Sequence, residues 1–289
     1  MDGIQNHLPG DSKGEHAYIH FFDQDQQQRI SLKEAQQTSN TLTKIRFVDD
    51  GIGYDLKNLL FFFSTKENDK DAVGQFGEGI KMIATASLRE GVEIEFESQN
   101  RRAKPTTKDV LLESNKSTRT MQQLCYDVEY LKRERPFIGS KTTFHNPSRE
   151  LINLAKGVGN TILHFKPDYE PIDTARDGEV VSLDDRRLYL KGLYINDADN
   201  STYFSYNFYE GEPNRDRDSL KPEEYKGKIK NIISATTSKA IIKRLMELEE
   251  WKDYSFNSET SWGLDVSHPN LWKECFFEKY GKNATILEK

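Results

Sequence analysis

Two glycine-containing motifs carry the clearest chemical pattern in this sequence. Asp49-Asp50-Gly51-Ile52-Gly53 directly follows residues 44–48, which are rich in β-branched and aromatic side chains and predict a strand. A carboxylate at the end of a strand can accept a hydrogen bond from an exocyclic amine. The glycines that follow allow the backbone to turn away and leave room for a flat ring. Judged alone, an aspartate–glycine turn is more often an ordinary hairpin or loop.

The second motif is Gly74-Gln75-Phe76-Gly77-Glu78-Gly79-Ile80-Lys81, and a helical pattern follows it as far as Leu88. Backbone N–H groups in such a turn can surround phosphate oxygens, and the N-terminus of the helix adds a favourable dipole. Lys81 would supply a further positive charge. The motif lacks the Gly-Lys-Ser/Thr of a Walker A loop, and no βαβ pattern surrounds it. The simpler interpretation is a tight connection before a helix.

Two weaker features have a consistent order relative to these motifs, one before both of them and one between them. Ser64-Thr65-Lys66 begins a polar segment before the glycine motif, which suits a lid over a bound nucleotide or an ordinary solvated loop. Asn6 offers an amide oxygen, a ligand type that Mg²⁺ accepts beside phosphates and waters. A single Asn means little by itself, and its value comes from its position ahead of the other motifs.

Taken together, Asn6, Asp49-x-Gly51-x-Gly53 and Gly74-x-x-Gly77-x-Gly79-x-Lys81 resemble the motifs of the GHKL superfamily (gyrase B, Hsp90, histidine kinases, MutL) and its Bergerat fold. The resemblance covers residues 1–100, and Gly139-Ser140-Lys141-Thr142-Thr143 resembles the later Gly-Thr motif of the family. It implies that Asp49 binds the amino group of adenine, with Thr142 or Thr143 nearby. It also implies that Asn6 holds Mg²⁺ and that Gly77, Gly79 and Lys81 surround the phosphates of ATP.

The sequence departs from the family beside Asn6. The resemblance places Asp2 where the family has the glutamate that acts as general base, and its side chain is one methylene shorter. Aspartate can do general-base work. His7-Leu8-Pro9-Gly10-Asp11 replaces the usual Asp-Ala after the Asn. The residues therefore support binding of ATP more directly than its hydrolysis.

Three basic residues of the second half are candidate γ-phosphate ligands: Lys191, Arg215 and Arg217. GHKL relatives similar to gyrase and Hsp90 use a Lys or Arg of a second domain in this way, and a cation there stabilises the departing phosphate. Alternating Arg and Asp at residues 215–218 equally suits a surface lattice of ion pairs.

The elements predict an α+β protein. We expect a Bergerat-type α/β sandwich (a mixed sheet with helices on one face) over residues 1–165 and a smaller, transducer-like α/β domain over 166–289. Residues 101–119 are polar and predict an exposed excursion between strands. Periodicity predicts strands at 17–22, 44–48, 92–98, 139–144, 188–195, 201–209 and 284–287, and helices at 56–63, 79–88, 149–155, 223–251 and 270–280.

Composition limits the class of protein. The chain has 289 residues, 11% of them aromatic, a net charge of −6 and two distant cysteines, and it lacks an apolar run long enough to span a bilayer. These values favour a folded, cytoplasmic protein over a disordered or membrane-bound one. Basic runs at 101–104 and 132–135 leave nucleic acid as a weakly supported partner. His16 and His20 share a predicted strand face without a third zinc ligand.

The leading hypothesis from the sequence is an ATP-binding, Mg²⁺-dependent ATPase that works as a clamp or conformational switch, with ATP ordering the lid at residues 64–79 and a protein partner or second copy as its target. The alternative is a non-catalytic, nucleotide-sensing binding module or scaffold subunit. A third interpretation is that the glycine motifs are coincidental loops of an unrelated α+β protein.

Overall fold

The computed structural model describes residues 7–8, 16–24, 28–51, 53–55, 59, 79–114, 117–135, 137–198, 202–211, 222–247 and 266–285. The chain is α+β and divides into two compact units, residues 1–159 and 160–289. The sequence placed this division at residue 165. Leu163 belongs with the second unit because it packs with Val181 and Tyr189 and donates its N–H to the carbonyl oxygen of Gly192.

The first unit contains a seven-stranded sheet in the order β2-β1-β3-β7-β4-β5-β6. All pairings among its described strands are antiparallel, which corrects the expectation of a mixed sheet here. The described residues of this unit include the helices α1 (Leu32–Gln37), α2 (Gly79–Glu90) and α3 (Arg149–Lys156). The strands are β1 (Ala17–Asp23), β2 (Arg29–Ile30), β3 (Leu42–Asp49), β4 (Glu93–Gln99), β5 (Arg101–Ser114), β6 (Ser117–Tyr130) and β7 (Phe137–His145).

The two faces of this sheet differ in chemistry. One face, called the inner face below, carries most of the buried apolar side chains, including Phe21, Ile45, Phe47, Ile94 and Phe96. The other, called the outer face, carries a network of ion pairs around Glu95 and Glu97. Period-2 alternation with one buried face is typical of antiparallel sheets. The predicted strands at 17–22, 44–48, 92–98 and 139–144 are confirmed, and the first three show this alternation.

Residues 101–114 and 117–119 belong to the two strands of a long hairpin, so the prediction that this segment lies between strands is wrong, whereas its predicted exposure is confirmed at 107–109, 111–112 and 118–119. Strands β5 and β6, of 14 residues each, pair from Arg101 opposite Tyr130 to Ser114 opposite Ser117. Side chains at 107–109 and 118–123 are exposed whichever face they lie on. With both faces in solvent, the hairpin lacks the apolar alternation by which strands are recognised.

The second unit contains a five-stranded sheet in the order β11-β10-β12-β9-β8. Strands β10 and β12 are parallel, and the other described pairs are antiparallel. Its core joins Tyr206 and Phe208 of the sheet to Ile229, Ile233 and Ile241 of the helices. The elements are β8 (Asp173–Ala175), β9 (Gly178–Ser182), β10 (Arg187–Leu190), β11 (Leu193–Asp197), β12 (Ser205–Phe208), α4 (Pro222–Ser234), α5 (Lys239–Glu247) and α6 (Pro269–Tyr280).

Several sequence predictions for this unit need correction. The strand predicted at 188–195 is two strands, because Lys191 and Gly192 have φ of +51° and +77° and form the two-residue turn of a hairpin. The helix predicted at 223–251 is two helices separated at 235–238, and its last residues, 248–251, lie outside the described part. Strands β8 and β9 were not predicted. Ala284 and Thr285 are not in a strand, and residues 286–289 lie outside the described part. Helix α6 and its glycine stop at Gly281 are confirmed.

Candidate functional site

One row of the inner face is polar. The strand register sets Asp49 opposite Ser140, and Ser140 opposite Ser98, so three small polar side chains lie side by side across β3, β7 and β4. The next row inward sets Phe47, Thr142 and Phe96 together in the same way. The polar residues of the two rows are all buried, namely Asp49, Ser140, Ser98 and Thr142. Burying polar groups among aromatic side chains is unfavourable unless each group is hydrogen-bonded.

Asp49 is the centre of this row and receives four hydrogen bonds. Its Oδ1 accepts from the N–H of Gly51 at 3.2 Å and from the N–H of Ser140 at 3.1 Å. Its Oδ2 accepts from Nδ1 of His7 at 2.6 Å and from the hydroxyl of Ser140. Burial opposes ionisation of the carboxyl, but the bonds from His7, Ser140 and Gly51 outweigh it and hold the pKa of Asp49 below its ordinary value. Asp49 is therefore an ionised, buried carboxylate at neutral pH.

His7 lies between Asp49 and Thr142 and is 2% exposed. Its Nε2 is 2.7 Å from the hydroxyl of Thr142, and its ring stacks near Phe47 with 6.5 Å between centroids. A carboxylate can only accept, so Nδ1 carries the proton on the Asp49 side. In the neutral ring, Nε2 then accepts from the Thr142 hydroxyl. The imidazole thus connects Asp49 with Thr142, one of the two threonines that the resemblance places near adenine.

The order Asp49–His7–Thr142 has the connectivity of an acyl-transfer triad, yet its burial argues against that chemistry. A nucleophile must be reachable by its substrate, and Thr142 is only 4% exposed. The hydroxyl of Thr142 also lies on the inner face beside Phe47 and Phe96. The arrangement suits recognition of a group that enters the row better than attack by a hydroxyl.

Close packing around the row explains two of its glycines. Gly53 has φ of +71°, and a Cβ there would lie 2.6 Å from Oγ of Ser98 and 2.7 Å from the carbonyl oxygen of Gly139. Gly139 has φ of +103°, and its Cβ would lie 2.0 Å from the carbonyl oxygen of Asp49. Larger residues would both clash and adopt an unfavourable left-handed backbone. The prediction that the Asp49 motif needs left-handed glycine is confirmed at Gly53.

Two tyrosine hydroxyls near this row have unmet hydrogen-bonding capacity. The N–H of Tyr54 donates to Oγ of Ser98 at 2.8 Å, while its hydroxyl is buried and has no partner among the described residues. The buried hydroxyl of Tyr126 likewise has none among them. Burial raises the pKa of Tyr126 to about 12. Burial and the Asp49 charge also raise the pKa of Tyr54, so both remain protonated donors.

The structure brings some predicted site residues together. Asp49, Gly51 and Gly53 meet at the polar row, and Thr142 lies in the adjacent row, connected to Asp49 through His7. Thr143 lies on the opposite face of β7, where its hydroxyl accepts from Nε of Arg46 at 3.1 Å; successive strand residues alternate faces, so Thr142 and Thr143 cannot both line one site. The predicted residues outside the described part are Asp2, Asn6, Ser64, Thr65, Lys66, Gly74, Gly77, Arg215 and Arg217, as is most of the helix predicted at 56–63.

The remaining predicted residues lie in regular positions. Gly79 is the first residue of α2 and Lys81 lies in its first turn; the helix contacts β4 and β5. Lys191 lies in the β10–β11 turn of the second unit, and its N–H donates to the carbonyl oxygen of Phe208.

Sequence reasoning missed the roles of His7 and Ser140. Ser140 is two residues from Thr142 and therefore shares its strand face, a signal that was present. His7 was noted only as a departure from the family pattern, and nothing in its neighbourhood along the chain points to β3 or β7. Its partners Asp49 and Thr142 are 42 and 135 positions away.

Within the described residues, no group of three or more His, Cys, Asp or Glu is arranged to hold a metal ion. In that same part of the chain, no helix is both long and apolar enough to cross a bilayer. Comparison of the chain with models of protein families and with curated proteins finds no match to either.

Proposed function

We propose that the first unit binds ATP, with the amino group of adenine at Asp49, and that ATP hydrolysis drives a clamp or conformational switch. The proposal includes a Bergerat-type fold of the GHKL kind for this unit and a transducer-like role for the second. The observation that carries it is the ionised, buried carboxylate of Asp49 in a polar row on an otherwise apolar face. The row contains the chemical groups that recognise a purine, which are a carboxylate for its amine, once one of the present donors has left, and aromatic side chains beside its ring.

The discrimination between purines follows from this carboxylate. Adenine presents an exocyclic amine that donates, whereas guanine presents a carbonyl oxygen at the same ring position, and an ionised Asp49 only accepts. Thr142 and the hydroxyl of Tyr54, which has no partner within the described residues, offer donors to the ring nitrogens. A site with fixed polar groups discriminates strongly, because the wrong ligand leaves those groups unpaired.

The phosphate part of the proposal rests on the glycine motif and α2. A helix N-terminus attracts anions, and α2 begins at Gly79 with Lys81 in its first turn. Mg²⁺ would neutralise phosphate charge, and the resemblance assigns it to Asn6. Asp2 would act as general base for the attacking water, and Arg215, Arg217 or Lys191 would contact the γ-phosphate. These roles, the protein partner or second copy, and the cytoplasmic location stay predictions.

Calorimetric titration of the protein with Mg²⁺–ATP tests the binding site. We expect Asp49→Asn to weaken ATP binding by about a hundred-fold, since it removes a charge-assisted hydrogen bond and the substituted amide offers one acceptor oxygen in place of two. The matched control is Asp50→Asn at the adjacent, exposed carboxylate, which should bind ATP like the wild type. Wild-type protein that binds no ATP at millimolar concentration would refute the proposal, as would equal affinity in Asp49→Asn.

Phosphate release separates the ATPase from a nucleotide-sensing module. Multiple turnovers that disappear in Asp2→Asn, with ATP affinity retained, indicate an enzyme. Binding without turnover in the wild type indicates the module.

A further inference from the structure

The carboxylate of Asp49 has no acceptor site left for a ligand. An ionised carboxylate offers about four lone-pair positions. Within the described part of the chain, Asp49 already accepts from the N–H of Gly51, the N–H of Ser140, the hydroxyl of Ser140 and Nδ1 of His7. A fifth donor, such as the amino group of adenine, therefore needs one of these four to leave.

Two of the four donors, the N–H groups of Gly51 and Ser140, are fixed by the fold, and the Ser140 hydroxyl belongs to a residue whose backbone the fold holds in place. Ser140 belongs to β7, which is hydrogen-bonded on both sides, to β3 and to β4. Gly51 is two residues from Asp49, and its N–H closes a local turn on the Asp49 side chain, a common and stable arrangement. His7 differs, because it belongs to neither a strand nor a helix. Its departure breaks side-chain bonds without breaking the sheet.

Departure of His7 would also release a second group. The Nε2 atom of the same ring holds the hydroxyl of Thr142 at 2.7 Å. One movement of one side chain therefore exposes both the acceptor and the hydroxyl that the proposed adenine site requires, and it vacates a planar space beside Phe47.

We infer that His7 is an internal competitor for the base-binding carboxylate: its imidazole occupies the position of the purine amine, and a nucleotide binds only to molecules in which His7 has withdrawn. This inference rests on the proposed ATP site and adds its regulation. The apparent affinity for the nucleotide equals the intrinsic affinity multiplied by the fraction of molecules in which His7 has withdrawn. Any contact that draws His7 out of the row would raise affinity without touching the nucleotide.

Titration of His7→Ala with Mg²⁺–ATP measures the competition. Hydrogen bonds to charged groups stabilise by amounts that correspond to about ten- to hundred-fold in an equilibrium. We expect ATP to bind His7→Ala more tightly than the wild type by about that factor. His164→Ala removes an exposed histidine and should leave ATP affinity unchanged. Cooperative thermal unfolding of His7→Ala without nucleotide shows that the variant is folded.

Nuclear magnetic resonance of the wild-type protein gives a second measurement, which does not depend on the ATP affinity of a variant. Nδ1–H of His7, donated at 2.6 Å to a carboxylate, should give a strongly downfield, exchange-protected proton signal, assigned by its absence in His7→Gln. Saturation with ATP should abolish this signal.

The outcomes separate the inference from the function beneath it. Tighter binding by His7→Ala, or loss of the His7 signal on saturation of the wild type, supports the competition. ATP binding by the wild type with equal or weaker affinity in a folded His7→Ala, together with a persistent signal, overturns the competition and leaves the ATP site standing. If neither the wild type nor Asp50→Asn binds ATP, the proposed function fails and the competition falls with it.

Discussion

His20 shows how a half-buried side chain on the outer face of the first sheet couples stability to pH. It lies on β1, its ring stacks on Tyr18 with 6.1 Å between centroids, and Arg29 and Arg46 are its charged neighbours. Burial, followed by these two guanidinium groups, lowers the pKa of His20 from 6.5 to about 4. The folded protein therefore keeps this imidazole neutral at pH values where the unfolded chain protonates it.

In His20→Gln the free energy of unfolding should fall less steeply than in the wild type as the pH is lowered. Between pH 6.5 and 4 the unfolded state binds more protons at His20 than the folded state, so the free energy of unfolding falls as the pH drops through this window. On going from pH 7.5 to pH 5, we expect the wild type to lose about 1 kcal/mol more than His20→Gln, a value already reduced for solvent screening of a half-exposed ring.

Urea denaturation at the two pH values measures this difference. His164→Gln, at an exposed histidine, should retain the wild-type dependence on pH. Equal pH dependence in the wild type and His20→Gln would contradict this prediction, because it would show that folding does not lower the pKa of His20.

At the residue scale, the candidate site was predictable where local chemistry dictates position. Asp49 at a strand end and Gly53 in a left-handed turn follow from short motifs, and the structure bears out both positions. Thr142 could be separated from Thr143 only with the strand register, because alternation says that they differ in face but not which one faces inward. The position of His7 could not be predicted from the sequence, because it depends on tertiary contacts with strands that are distant along the chain.

At the element scale, the β5–β6 hairpin extends beyond the part of the sheet that is buried. The side chains of Leu111, Leu112 and Met121 are 64%, 50% and 53% exposed, while Ala103 near the base of the hairpin is fully buried. Apolar burial is the main stabilising contribution to a sheet. The outer half of the hairpin therefore contributes little to the stability of the first unit.

Shortening the hairpin tests this point. Lys108 and Gln123 are paired across the two strands, so replacing residues 109–122 by Asn-Gly leaves a two-residue turn of the favoured type between them. We expect the free energy of unfolding to change by less than about 1 kcal/mol, because exposed side chains are removed and the connecting loop is short. Chemical denaturation of the wild type and the shortened protein makes the comparison. A loss of several kcal/mol would mean that the tip packs against other residues.

The strands β1, β3 and β4 were predictable because each has one apolar, buried face and therefore alternates apolar and polar residues. Strand β7 lacks this alternation, because Ser140 and Thr142 occupy its inner face. The helical pattern at 223–251 was correct in periodicity but not in continuity. The break falls where Asp173 accepts hydrogen bonds from Thr236, Thr237 and Ser238. That carboxylate comes from β8, so the break depends on a contact that periodicity does not contain.

At the scale of the whole molecule, each unit buries its own core. The principal cluster of the second unit is drawn from residues 172–272 and includes the fully buried Leu188, Phe204, Tyr206, Phe208 and Ile229. The inner face of the first sheet is built from residues 17–144. Units with separate cores of this size can fold as independent domains.

Thermal unfolding of the separated units, residues 1–159 and 160–289, tests both this independence and the location of the ATP site. We expect each fragment to unfold cooperatively on its own. A ligand that binds only the native state stabilises it by about 2.7 kcal/mol at a hundred times its Kd, so Mg²⁺–ATP should raise the Tm of 1–159 by several degrees and leave that of 160–289 unchanged. Stabilisation of 160–289 alone would mean that the nucleotide binds to the second unit and not at Asp49. Stabilisation of the full chain but of neither fragment would mean that ATP needs residues of both units, as a γ-phosphate contact from Lys191 or Arg215 would require.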